Sequence, residues 1–114
     1  MISRGDIVLL SFPFTNLKSS KVRPALVVSD DSYNKQTNDA VFIFITSKKH
    51  SSQYDLRIEK TNKSFKLTGL KAPSTLRISK IMSLEKRLVQ RKLGIADSII
   101  MRKVNAALKC LLDL

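Results

Sequence analysis

Short apolar blocks bounded by turn-forming or charged residues fill most of this chain, and one helical stripe closes it. Ile7–Phe12 is the first block; the Gly5-Asp6 turn starts it and Pro13 stops it, which predicts a strand. A polar loop, Thr15–Lys21, leads into Val22–Ser29, where Leu26, Val27 and Val28 form a short core strand rich in β-branched residues. The polar connection Asp30–Asp39 has room for one helical turn at Ser32–Asn34. Ala40–Thr46 is unbroken apolar sequence up to its final threonine, and is expected to be the most central strand. Tyr54, Leu56 and Ile58 alternate with polar residues in Tyr54–Glu59. In Ser74–Leu84, Leu76, Ile78 and Lys80 alternate with Thr75, Arg77 and Ser79, the pattern of a half-exposed strand. Leu88 and Val89 mark a last strand at Arg87–Leu93, ended by Gly94, while Thr61–Ala72 follows neither period and reads as an irregular excursion.

From Asp97 to Leu112 the period changes. Ile100, Val104, Leu108 and Leu111 fall on one stripe of a helix, with Arg102, Lys103 and Lys109 on the other side and Asp97 or Ser98 as cap. One amphipathic helix after a run of strands plugs an open barrel or covers one sheet face. The expected fold is therefore mainly β with a C-terminal helix, arranged as a β-barrel. With 114 residues and 43% hydrophobic content, the chain fits a single domain spanning 1–114. Ile99 and Leu112, off the stripe, are left with the edge strands for a second copy of the chain. Cys110 cannot form an internal disulfide and reads as buried filler in a reducing cytoplasm. The start Met1–Asp6, a charged glycine turn before a short strand-like run, is not expected to be a signal peptide, and no apolar run reaches membrane length.

Charge narrows the partners. The chain holds 21 Lys and Arg against 9 Asp and Glu, a net +12, which favours a polyanion. A membrane-surface role needs a basic helix with exposed aromatics, and the C-terminal helix has no aromatic residue. One Cys and one His offer no metal-ligand spacing, and 3 glycines build neither a Walker loop nor a dinucleotide fingerprint. No serine sits in a nucleophile elbow, so a Ser-His-Asp triad around the lone His50 is not expected. No metal or cofactor is expected; metal-free chemistry on a phosphodiester remains.

Two residues suit that chemistry. Pro24 drives Arg23 towards extended geometry, so its guanidinium sits at a strand entrance as a fork for phosphate. Thr46 offers a hydroxyl at the end of the central apolar strand. The loops Lys18-Ser19-Ser20-Lys21 and Ser47-Lys48-Lys49 flank the pair and suit the backbone of single-stranded RNA. His50, close behind Thr46, is a possible base, because an imidazole can take up and return a proton. Tyr54 is in phase with core positions, so burial rather than base stacking is expected of it.

Several motifs support the pair. Gly5-Asp6-Ile7-Val8, Phe12-Pro13, Lys21-Val22-Arg23-Pro24-Ala25-Leu26-Val27-Val28-Ser29 and Ile45-Thr46-Ser47 resemble the MazF/PemK family of toxin endoribonucleases. The likeness continues through Leu70–Ser74, Ile81–Leu84, Lys92–Gly94 and Val104–Leu108, and so spans essentially the whole chain. The resemblance implies an SH3-like β-barrel with a C-terminal helix, of the MazF/CcdB toxin type, assembled as a homodimer. It implies metal-independent cleavage of single-stranded RNA at selected sequences, leaving 2′,3′-cyclic phosphate and 5′-OH ends, and neutralisation by a small acidic antitoxin. The family's catalytic arginine falls on Arg23, its catalytic threonine on Thr46, and a serine of its RNA-binding face on Ser74. The sequence departs from the family at Thr15–Lys21, which lacks the acidic residue many members carry there. That departure leaves a second reading: a non-catalytic nucleic-acid-binding or gyrase-poisoning module on the same barrel.

Overall fold

A computed structural model of the chain describes residues 1–12 and 21–114. In chain order the elements are β1 (Asp6–Phe12), β2 (Lys21–Val27), α1 (Asp31–Gln36), β3 (Asp39–Thr46), β4 (Asp55–Ile58), α2 (Phe65–Thr68), β5 (Ser74–Glu85), β6 (Val89–Ile95) and α3 (Ser98–Leu112). The strands form one antiparallel sheet in the order β4-β5-β3-β2-β1-β6. The mainly β fold with a C-terminal helix is as expected, and β3 lies centrally beside β2. The barrel needs one correction: β4 and β6 are the two edges and are not hydrogen-bonded to each other, so the sheet stays open.

Both faces of the sheet are apolar, which explains why its strands read as near-continuous hydrophobic runs. On one face Ile7, Leu26, Ile43, Ile45, Leu76 and Ile78 are buried beneath Ile100 and Val104 of α3 and Phe65 of α2. On the other, Val8, Leu10, Ala25, Val27, Ala40 and Phe42 are buried together, with Phe12 and Phe44 stacked 4.2 Å apart. The helix stripe falls where its spacing predicts: Ile100 and Val104 are buried, and Leu108 and Leu111 pack at its lower end. Ile99 and Leu112 are exposed, as is Leu114. Cys110 is exposed too, contrary to its reading as core filler; at 100° per residue it lies across the helix from Val104. No helix among the described residues is long and apolar enough to cross a membrane.

Three local departures shape the cleft side of the molecule. In β5, Ile81 faces Ile43 but Arg77 faces Phe44, so Ile78-Ser79-Lys80 bulge out of the ladder and the long strand bends. The excursion between β4 and β5 contains the helical turn α2, capped by Gly69 at φ 72°. Gly94 lies inside β6 rather than ending it, because β6 crosses α2 there at backbone contact distance.

The start of α3 is fixed by Asp97. Its carboxylate accepts from the Ile100 amide at 3.0 Å and from Ser64 Oγ at 2.5 Å. The Ser64 hydroxyl first and the backbone amides second hold the Asp97 carboxyl below its ordinary value. A lowered folded pKa gives stability that is present above pH 3.8, the ordinary carboxylate value, and lost as pH falls through the folded value. Asp97→Asn keeps the cap without the titration, so its melting temperature should fall less steeply below pH 3.8 than that of the parent. Identical acid limbs in a thermal scan against pH would refute this assignment.

Candidate active site

The cleft arises from a missing amide. Val28 N–H donates to Val41 O at 2.9 Å, so the even-numbered amides of β2 point towards β3. Pro24 breaks that row because it has no amide. The β2–β3 register runs over Ala25↔Phe44, Leu26↔Ile43 and Val27↔Phe42, and no further in that direction. β1 still pairs β2 as far as Lys21, so β2 stays with β1 while β3 parts from it. Arg23 and Thr46 each lie two residues beyond the last pair, Ala25↔Phe44, on the separating ends of β2 and β3, and strand alternation puts both on the same face. The gap opens into a cleft of about 750 Å³.

Arg23, Thr46, Lys21, Ser47 and Ser74 all line this cleft. Arg23 is half-buried, and among the described residues its guanidinium has no hydrogen-bond or ion-pair partner. Thr46 Oγ1 accepts from the Lys48 amide at 3.2 Å, which leaves its own O–H free to donate. Ser74 is buried, and its hydroxyl donates to Ala72 O at 2.8 Å, so it shapes the wall. Lys48 and Lys49 are exposed on the adjoining loop and are not among the lining residues. Lys18, Ser19 and Ser20 lie outside the described residues, as does the carboxylate-free loop around them.

His50 is directed elsewhere. Its Nε2 lies 3.2 Å from Arg77 Nη1, and since a guanidinium only donates, Nε2 is the acceptor. Arg77 also pairs with Asp55 at 2.8 Å. Burial pushes the Asp55 carboxyl up, but hydrogen bonds from Ser52 and the Arg77 charge outweigh it and hold the group below its usual value. The His50–Arg77–Asp55 chain thus braces the far end of the loop, and His50 does not line the cleft. Tyr54 is half-buried and packs on the core, as its phase implied.

Sequence reasoning missed Lys71 and Arg91, which bring the cations lining the cleft to four with Lys21 and Arg23. Arg91 arrives by pairing opposite Leu9 across β1–β6, a register that periodicity does not reveal. Lys71 had a readable signal, a cation placed between Gly69 and Pro73. No carboxylate lines the cleft among the described residues, so its four cations are uncompensated there, beside the hydroxyls of Thr46 and Ser47.

Fold and cleft together define a small basic protein in which a sheet, backed by one helix, presents a cleft lined by four cations. A family model for the PemK-like, MazF-like toxins of type II toxin–antitoxin systems matches residues 3–112, and the chain belongs to that family. Solved structures share the fold. A mycobacterial endoribonuclease in complex with its cognate antitoxin superposes with a TM-score of 0.80 at 21% identity, covering 100% of this chain and 97% of that one. A MazE–MazF complex from Deinococcus radiodurans gives 0.80 at 23% identity, covering 99% and 96%. A second mycobacterial endoribonuclease gives 0.77 at 21% identity, covering 99% and 92%.

Proposed function

We propose that residues 1–114 form one toxin domain that cleaves single-stranded RNA at selected sequences, without a metal ion, leaving 2′,3′-cyclic phosphate and 5′-OH ends. The observation that supports this reading is that Arg23 and Thr46 line one cleft together with three further cations, Lys21, Lys71 and Arg91. RNA carries its own nucleophile. The 2′-oxygen attacks the adjacent phosphorus as its proton leaves, the bond to the 5′-oxygen breaks, and that oxygen departs with a proton. Arg23 forks onto the non-bridging oxygens and binds them harder as charge builds in the phosphorane. Thr46 donates its O–H to the same group. Lys21, Lys71 and Arg91 seat the flanking phosphates, and a cleft of cations and hydroxyls suits phosphate better than it suits a hard divalent cation.

Incubation with a long RNA in EDTA, followed by end mapping, tests the reading. Fragments with 5′-OH ends at recurring sequences are the expected result. Intact RNA would refute it and leave the non-catalytic binding module, whereas cleavage only on addition of a divalent metal would refute the metal-free mechanism.

The partners follow from the same surface. An acidic antitoxin segment is expected to occupy the cations that hold RNA, so the two ligands compete and RNA affinity falls with salt. The exposed Ile99, Leu112 and Leu114 of the C-terminal helix and tail, together with the open sheet edges, suit a second copy of the chain. Light scattering should give the mass of a dimer at micromolar concentration; a monomer would overturn the pairing.

A further inference from the structure

We infer that Arg57, on edge strand β4, is a positioning residue for the Thr46 hydroxyl. The inference rests on reading the cleft as a ribonuclease site. It starts from register: Thr46 pairs with Thr75 across β3–β5, and Arg57 pairs with Thr75 across β4–β5. Thr46, Thr75 and Arg57 therefore form one row across three adjacent strands, and Thr46 shares the cleft with Arg23.

The backbone that follows Thr46 is folded over this row. Arg57 Nη1 donates to Ser47 O at 3.0 Å, to Lys48 O at 3.4 Å and to Thr75 Oγ1 at 3.0 Å. Thr75 Oγ1 in turn donates to Lys48 O at 3.0 Å. Two side-chain donors thus converge on two successive carbonyls beyond the end of β3. With those carbonyls held, the Lys48 amide is turned back onto Thr46 Oγ1 at 3.2 Å. That bond occupies an oxygen lone pair of Thr46 and leaves the hydroxyl proton for the cleft. Thr75 is fully buried within this arrangement although its strand period places it on the exposed face. Arg57 is mostly shielded, and its Nε pairs with Glu59 at 3.2 Å at the outer rim. Arg57 does not line the cleft, so its influence on cleavage runs through the loop backbone and Thr46.

Arg57→Gln is predicted to lower kcat by about tenfold or more, the effect of one charge-assisted hydrogen bond, with KM within about twofold. In a Thr46→Val background the same substitution should add less than about twofold, because the group it positions is already gone. Arg57→Lys, which keeps one donor for the two carbonyls, should recover part of the loss. A readout independent of activity is the Lys48 amide, whose hydrogen-exchange protection in the free protein should fall in Arg57→Gln. Thr75→Val, which removes the second donor without changing shape much, should move the same amide in the same direction and serves if Arg57→Gln does not fold. An undiminished effect of Arg57→Gln beside Thr46→Val, a change confined to KM, or an unchanged Lys48 amide would each overturn the inference. If the parent protein cuts no RNA, the ribonuclease reading fails by itself and the Lys48 amide still decides whether Arg57 holds this loop.

Discussion

Arg23→Ala should slow RNA cleavage by about two to three orders of magnitude while shifting the melting temperature by no more than about 2 °C. The asymmetry comes from where the guanidinium sits. Among the described residues it has no partner, so the folded state loses no ion pair when it is removed. Its backbone is held through the β1–β2 pairing opposite Leu10, which alanine preserves. On the proposed mechanism the transition state loses a two-pronged donor for the oxygens on which charge builds. Rates under single-turnover conditions together with a thermal scan decide the matter. A large drop in melting temperature would make Arg23 a structural residue, and a rate close to the parent would remove it from the reaction.

Gly69→Ala should destabilise the protein by about 3–5 kcal/mol, and Gly94→Ala by about 3 kcal/mol. The two glycines face each other where β6 crosses α2. A Cβ on Gly94 would run into the Leu67 carbonyl and the Thr68 backbone, and one on Gly69 into the Leu93 carbonyl. These are backbone atoms inside regular elements, so neither side yields cheaply. Gly69 carries the added strain of φ 72°, where an L side chain is disfavoured. Because Gly69 and Leu93 both line the cleft, cleavage should fall with stability in these variants. Denaturant midpoints at constant slope measure the effect. Stability within about 0.5 kcal/mol of the parent would mean that the crossing is looser than drawn.

Most strands were legible because a sheet apolar on both faces writes nearly continuous hydrophobic runs, as in Ala40–Thr46, and the helix wrote an unmistakable stripe. Arg23 was legible because Pro24 constrains its backbone and takes an amide from the ladder, both of which are properties of the local sequence. What stayed hidden depends on which strand lies beside which. Thr75 keeps the alternation that sets it opposite Leu76, and its burial follows from the loop that Arg57 folds over it. Arg91 enters the cleft only through the β1–β6 pairing. Gly94 looked like a strand terminator because glycine commonly ends strands, whereas a close approach of two backbones also demands glycine and leaves no other mark. Cys110 was misplaced by reading apolar helix composition without its phase.

The pairing of β1 with β6 joins Asp6 to Ile95, so the first strand of this sheet gains its outer neighbour from the last. Contacts so distant along the chain are slow to form and late to be completed. Arg91 belongs to that final strand, and Gly94 beside it seats the Gly69–Ala72 wall of the cleft. A nascent chain on the ribosome therefore holds Arg23 and Thr46 before it holds a finished cleft around them. The topology thus delays the assembled cleft until the last strand of the sheet is available to close it.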